Sequence, residues 1–228
     1  MKTSTISIAC ISDTHGAVLE VENLPKTDLL LIAGDITKRG CHREFVEFAN
    51  QVKTWSGNFG QIVYVPGKHD IAIERYPQKY TDILHEASSN FNVLIHDDIK
   101  IYDLHIWGTP YSRYSQDWAF SIKNKQRKHL ISQIPRGIDI LVSYSPPYLI
   151  MDNEKNSNGF YYSNGCKYIR NAVEAIKPQL HVFGGSHENQ GTLSINRGST
   201  TCINASYISA YDRPYNEVIT TELINKTH

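Results

Sequence analysis

The chain of 228 residues has no excess of charge of either sign, since 23 lysines and arginines balance 23 aspartates and glutamates. We therefore expect no sequence-specific nucleic-acid partner and no membrane partner, although a local basic patch is compatible with this balance. Long apolar runs are also missing, because the longest, such as Leu29–Ala33, are far too short to span a bilayer. Polar residues interrupt Met1–Ile11, which predicts a strand and no signal peptide.

Cysteine is scarce and scattered. The four cysteines are widely spaced and form no CxxC pair, so the sequence carries no sign of a disulfide framework or a cysteine-based zinc site. We expect reduced thiols in a cytoplasmic protein. Internal repeats, low-complexity segments and a clear domain boundary are absent as well, which predicts a single domain over residues 1–228.

Polar clusters follow each of the first three predicted strands. These strands are Ser4–Ile11, Asp28–Ala33 and the run that begins at Gln61. The clusters after them are, in chain order, Asp13-Thr14-His15, Gly34-Asp35 and Gly67-Lys68-His69-Asp70. In α/β proteins chemistry is placed at the carboxyl ends of strands, so we expect these clusters to meet at one sheet edge. An Asp and a His two residues apart, such as Asp13 and His15, then suit a shared cation.

The rest of the chain alternates predicted helices and short strands. Helical periodicity predicts helices over Arg43–Trp55, Tyr76–Ala87, Lys123–Gln133 and Cys166–Lys177. Strands are predicted over Asn92–Leu94, Ile99–Tyr102, His105–Trp107, Ile138–Ser143, Leu180–Phe183, Thr192–Ile195, Thr201–Asn204 and Val218–Leu223. The polar, Asn/Ser/Gly-rich stretch Asp152–Gly165 predicts a surface loop.

Taken in order, the clusters D-x-H, G-D, G-K-H-D, S-Y-S-P-P and G-G-S-H resemble the pattern of the calcineurin-like metallophosphoesterase superfamily. Within it the chain is similar to the metallophosphoesterase-domain-containing (MPPED) subgroup. That similarity rests on Trp107-Gly108-Thr109-Pro110, Ser145-Pro146-Pro147, Gly165-Cys166, His181-Val182-Phe183-Gly184, His187-Glu188 and Ile203-Asn204-Ala205-Ser206. The resemblance implies an α/β fold, a four-layer αββα sandwich of two mixed β-sheets, with the site at the carboxyl ends of the strands.

The resemblance also implies roles for these residues around divalent metal ions such as Mn, Fe or Zn. Asp13, His15 and His187 match ligands of the first metal, and Asp35 matches the carboxylate that bridges both metals. His69 matches the catalytic histidine, and Asp70 matches the acid that orients it.

Three positions depart from the family pattern, and all three belong to the second metal alone. Lys68 stands at the usual asparagine, Tyr144 at a histidine and Gly185 at the first histidine of G-H-x-H. We therefore expect one ion per chain, with the Lys68 ammonium serving part of the missing ion's electrostatic role. The alternative is that Lys68 extends into solvent.

Two functions remain open at this point. The first is a one-metal, weakly active hydrolase that cleaves a phosphodiester or a nucleotide. The alternative is a catalytically inactive module that binds a nucleotide or a protein partner. Completion of an unusual second metal site by His42, His181 or Glu188 carries little weight, since His181 lies in the middle of a predicted strand.

Overall fold

The computed structural model describes residues 4–156, 158–208 and 216–225. Within them the strands are β1 (Ser4–Ile11), β2 (Thr27–Ala33), β3 (Phe59–Val65), β4 (Phe91–Val93), β5 (Asp97–Ile101), β6 (Leu104–Thr109), β7 (Ser112–Arg113), β8 (Ser121–Ile122), β9 (Ile140–Ser143), β10 (Asn153–Lys155), β11 (Tyr161–Ser163), β12 (Leu180–Phe183), β13 (Gly191–Ile195), β14 (Thr200–Asn204) and β15 (Ile219–Asn225). The α-helices are α1 (His42–Trp55), α2 (Ile71–Arg75), α3 (Pro77–Ala87), α4 (Asn124–Ile131) and α5 (Lys167–Ile176). In this part of the chain, no helix is long and apolar enough to cross a membrane.

The strands form two large mixed sheets. The first has the order β15-β1-β2-β3-β4, in which β1 to β4 run parallel and β15 pairs antiparallel with β1. The second has the order β13-β14-β12-β9-β6-β5, with four parallel strands in the centre and an antiparallel strand at each edge. The central strands are apolar on both faces, as parallel strands covered on both sides must be.

Three hydrophobic clusters separate the layers. One lies between the two sheets and contains Ile8, Leu31, Val63, Val142 and Val182. A second packs α1 and α3 on the outer face of the first sheet, and a third packs α4 and α5 on the outer face of the second. This arrangement confirms the four-layer αββα sandwich.

The structure corrects the prediction for Asp152–Gly165. That stretch contains the hairpin of β10 and β11, in addition to its exposed turn. Asp152 is buried beneath the hairpin, where its Oδ2 accepts hydrogen bonds from Ser163 Oγ and from the backbone N–H groups of Leu149 and Gly165. One buried carboxylate therefore organises a segment whose composition alone predicts a loop.

Candidate metal centre

The ends of β1 and β2 are joined by backbone hydrogen bonds. Asp13 N–H donates to Gly34 O at 2.9 Å, and His15 N–H donates to Asp35 O at 2.9 Å. Asp13, His15 and Asp35 all have positive φ, 52°, 45° and 52° respectively. Residues other than glycine rarely adopt this left-handed backbone conformation. Such strain is common at functional sites and costs about 1–3 kcal/mol per residue. The first two polar clusters thus meet at one sheet edge, as the sequence predicts.

The two oxygens of Asp13 have different surroundings. Oδ2 accepts hydrogen bonds from Ser12 Oγ at 2.7 Å, Ser206 Oγ at 2.8 Å and Gly185 N at 2.9 Å. Oδ1 points toward His187, whose Nε2 lies 3.4 Å away. Burial alone would raise the pKa of Asp13, but the hydrogen bond and the charge of His187 hold it below its usual range. Asp13 is therefore a fixed anion with one oxygen turned toward the centre.

Asp35 shows the same asymmetry in a more extreme form. Its Oδ1 accepts the His69 backbone N–H at 2.8 Å. Its Oδ2 is buried and has no hydrogen-bond partner among the residues that the structure describes, and it lies 4.0 Å from His15 Nε2 and 3.9 Å from His69 Nε2. Burial, joined by the negative charges of Asp70 and Asp13, raises the pKa of Asp35 well above its usual range. A buried carboxylate oxygen in this state needs a cation to stay ionised.

The histidines present their Nε2 atoms to the same space. His15 Nδ1 lies 3.3 Å from the Thr37 carbonyl, which accepts its proton and leaves the Nε2 lone pair for a ligand. The Nε2 atoms of His15 and His187 are 3.3 Å apart. Two imidazole nitrogens on a tetrahedral ion, each at about 2.1 Å, are about 3.4 Å apart, so this separation suits shared coordination.

These donors fit a divalent ion of the Mn, Fe or Zn type. Two groups of potential ligand atoms lie within the distances that a single ion spans, Asp13 with His15 and His187, and His15 with Asp35 and His69. Mixed imidazole and carboxylate donors are the set that such metals take. The unpartnered Oδ2 of Asp35 is the observation that an ion would explain.

His69 has a different support from the one expected. Its Nδ1 lies 2.7 Å from the carbonyl oxygen of Lys38, which holds the ring and directs Nε2 toward Asp35. The ring also contacts Trp118, with centroids 4.1 Å apart. Burial, followed by the charge of Lys68, lowers the pKa of His69. The predicted orienting acid, Asp70, takes no part in this contact.

Asp70 instead holds the loop itself, which corrects its expected role. Its Oδ1 accepts from the N–H and the hydroxyl of Thr37, and its Oδ2 accepts from the Tyr64 hydroxyl and the Gly67 N–H. All four donors come from the strand ends and from the turn before His69. The carboxylate is fully occupied as a structural anchor, so the adjacency of His69 and Asp70 in the sequence does not make them a pair in space.

The side chain of Tyr144 occupies the space between Gly67 and Gly185, beside Lys68. It is buried, and a Cβ added at Gly67 would lie 2.8 Å from its Cδ2. A Cβ added at Gly185 would lie 3.3 Å from its Cζ and 3.4 Å from its hydroxyl, at a backbone φ of +70°. Burial and the charges of Asp35 and Asp13 raise the pKa of the phenol well above its usual range, so it is neutral. The changes at positions 144 and 185 are therefore complementary in shape.

Lys68 stays at the centre. The side chain is partly buried, with its Nζ 5.8 Å from the centroid of the Trp118 ring, and its charge acts on Asp35, His69 and His187. Its backbone carbonyl accepts the Ala119 N–H at 2.9 Å, which fixes the Trp118 segment beside it. The sequence did not single out Trp118 as a neighbour of His69, because the two are joined only by the fold.

The three residues considered for an unusual second metal site have other surroundings. His181 is fully buried in β12, where its Nε2 meets Ser143 Oγ at 2.8 Å, as a core histidine does. His42 contacts Tyr80, and Glu188 is exposed. Among the described residues, none of the three belongs to a group of potential metal ligands. Sequence reasoning also missed Ser12 and Ser206, which hold Asp13; Ser12 was signalled only by its place beside that aspartate.

Residues 6–189 match the model of the Calcineurin-like phosphoesterase family, so the chain belongs to that family. It is 26% identical over 240 residues to Metallophosphoesterase domain-containing protein 1 of Homo sapiens, with 94% of this chain and 70% of that protein covered. It is 28% identical over 225 residues to UPF0046 protein C25E10.12 of Caenorhabditis elegans, covering 91% of this chain and 79% of that one. These relatives confirm the resemblance to the metallophosphoesterase-domain-containing subgroup.

Solved structures agree on the fold. The crystal structure of TT1561 of Thermus thermophilus superposes with a TM-score of 0.61 at 14% identity, covering 88% of this chain and 89% of that one. Another crystal structure reaches a TM-score of 0.69 at 13% identity, covering 97% and 95% of the two chains. At such identities the likeness concerns the fold alone.

Proposed function

We propose that the protein is a metal-dependent phosphoesterase of low activity that uses one divalent ion and hydrolyses a phosphodiester or a nucleotide. The buried Oδ2 of Asp35, which has no hydrogen-bond partner among the described residues, carries the proposal, because it lies 4.0 Å from His15 Nε2 and needs a cation. Asp13, His15, Asp35 and His187 are the proposed ligands of that ion. When bound, the ion supplies a Lewis acid for a phosphoryl oxygen and an activated water.

The chain's own residues would complete the chemistry. Lys68 is placed to hold a phosphate oxygen by a charge-assisted hydrogen bond, as one positive charge where the family has an ion with two. His69 is placed to carry a proton on Nε2 and to pass it to the leaving oxygen.

Tyr144 supports the proposed count of one ion. A neutral phenol fills the volume among Gly67, Gly185 and Asp35, and a phenol in its protonated form is a poor metal ligand. Loss of the second ion weakens both activation of the nucleophile and stabilisation of the transition state, so we expect a rate several orders of magnitude below that of a two-metal enzyme.

The test combines metal analysis with hydrolysis of bis-p-nitrophenyl phosphate in added Mn. We expect about one tightly bound ion per chain, and a loss of activity of about 1,000-fold in Asp35→Ala and about 100-fold in His69→Ala. Glu188→Gln, which removes an exposed carboxylate outside both ligand groups, is the matched control and should retain activity. Two tightly bound ions per chain would contradict the one-metal proposal.

The second candidate function is an inactive module that binds a nucleotide or a protein partner. The anchoring role of Asp70 favours it, because maintenance of the loop shape accounts for this carboxylate without catalysis. Absence of hydrolysis in the wild type, with nucleotide binding retained, would select this candidate. A cytoplasmic location also stays a proposal, supported by the free thiols of Cys10, Cys41, Cys166 and Cys202.

A further inference from the structure

A cavity of about 290 Å³ opens beside the candidate metal centre, on the side where the second-metal ligands are replaced. Lys68, Tyr144 and Gly185 belong to its lining. Ser112 and Arg113 of β7 and Arg127 of α4 line it as well. The cavity therefore joins the three replaced positions to a wall that carries two arginines.

Two polar groups in this wall are buried without a partner. Ser112 is 7% exposed, and its hydroxyl makes no hydrogen bond within the described part of the chain. Arg127 is 8% exposed; its Nη2 donates to Asn124 Oδ1 at 2.9 Å, whereas its Nε has no partner there. A buried donor left unpaired is costly. Both atoms are shielded in the present shape of the wall, so a small side-chain movement would be needed for either one to reach an acceptor in the cavity.

The positive charges of the wall are not neutralised. Among the described residues, Lys68, Arg113 and Arg127 form no ion pair with a carboxylate. Glu154 is the one acidic residue in the lining, and its oxygens accept hydrogen bonds from Tyr162 Oη at 2.9 Å and Asn164 Nδ2 at 2.8 Å. The lining therefore carries three positive side chains and one negative side chain, which is a net charge of two positive units.

We propose that this cavity is a second anion subsite, which binds a phosphate group of the substrate other than the one that is hydrolysed. The inference rests on the proposed function, since it names the substrate class of the same centre: a phosphoester that carries a second phosphate. Guanidinium groups suit phosphate because their donors match its oxygens. Lys68, shared by the cavity and the centre, contacts the oxygens between the two phosphates.

The test is calorimetric titration of the purified full-length chain with pyrophosphate, without added metal. The informative variant is Arg113→Gln, because Arg113 is exposed and its replacement does not disturb the core. Its matched control is Arg136→Gln, which removes an exposed guanidinium that lines a different groove. We expect Arg113→Gln to weaken pyrophosphate binding about tenfold, which a lost charge-assisted hydrogen bond produces, and Arg136→Gln to bind as the wild type does.

Equal affinity in the two variants, or no binding to the wild type at millimolar pyrophosphate, would overturn the subsite. Hydrolysis of bis-p-nitrophenyl phosphate, measured on the wild type in parallel, tests the proposed function separately. No hydrolysis together with the expected difference in affinity leaves the subsite in place and refutes the phosphoesterase. Hydrolysis together with equal pyrophosphate affinity in the two variants supports the phosphoesterase and refutes the subsite.

Discussion

The two sides of Asp35 differ in how their atoms are satisfied. On the side of Asp13 and His15, each side chain has one atom held by the fold and another left facing the centre, where His187 Nε2 lies 3.4 Å from Asp13 Oδ1. On the side of Tyr144 and Gly185, the space is filled by a packed, neutral phenol. The first side therefore has unsatisfied atoms that an ion could bond, whereas the second side offers an ion neither space nor a free ligand atom in its present packing.

The largest effect on stability is expected at Asp70, which belongs to neither side but holds the loop between them. Asp70→Asn turns an amide N–H₂ toward some of the four donors that now bond to the carboxylate, so we expect a loss of about 3 kcal/mol in the free energy of unfolding. Urea denaturation measures it, with Glu188→Gln as the exposed acid-to-amide control. A variant within about 0.5 kcal/mol of the wild type would show that Asp70 is not the anchor.

A pH-dependence experiment on His181 distinguishes a histidine of the core from a metal ligand. Burial lowers its pKa from 6.5 to about 3, so the unfolded state takes up the proton first as the pH falls. This residue therefore destabilises the fold as the pH falls from about 6.5 toward 3, by up to about 1.4 kcal/mol per pH unit.

His181→Gln removes that titration and keeps a polar group near Ser143. Over pH 6.5 to 4 we expect the variant to lose about 3 kcal/mol less stability than the wild type. Urea unfolding at several pH values measures the difference. Metal content should be the same in both proteins; a fall in bound metal would place His181 among the ligands after all.

The triple variant Lys68→Asn, Tyr144→His, Gly185→His tests the difference between the two sides directly. If the absence of a second metal ion limits the rate, we expect the variant to bind a second ion and to hydrolyse bis-p-nitrophenyl phosphate about tenfold faster or more. The gain is kept modest by position 185, where the left-handed backbone costs a histidine about 1–2 kcal/mol. Lys68→Asn alone is the control and should not bind a second ion, because Tyr144 still fills the space. No gain in the triple variant would mean that the pocket has diverged beyond its ligands.

Much of the fold could be predicted because its signals are local. Apolar runs that end in polar clusters marked β1, β2 and β3, and the apolar face of α1 lies at Phe45, Phe48, Ala49 and Val52, as its periodicity predicts. The hairpin of β10 and β11 was missed because its stability depends on buried Asp152, whose role composition does not show.

The candidate site was only partly predictable for a related reason. Motif order identified the side chains of the candidate centre, since each follows the carboxyl end of a strand: β1, β2 or β3 of the first sheet, or β12 of the second. The support of His69 by the Lys38 carbonyl, and of Asp70 by Tyr64 and Thr37, depends on backbone positions that no side-chain motif records. Likewise, the residues at positions 68, 144 and 185 predict that a second ion is not bound, but they do not predict that the ring of Tyr144 packs against Gly185.

That fit also limits what a single substitution can do. A side chain at position 185 would be crowded by the present ring of Tyr144, since even a Cβ there lies 3.3 Å from the ring. A histidine introduced at 185 alone would therefore lose packing and gain no ion. Positions 144 and 185 have to be changed together if a second ion is to be accommodated.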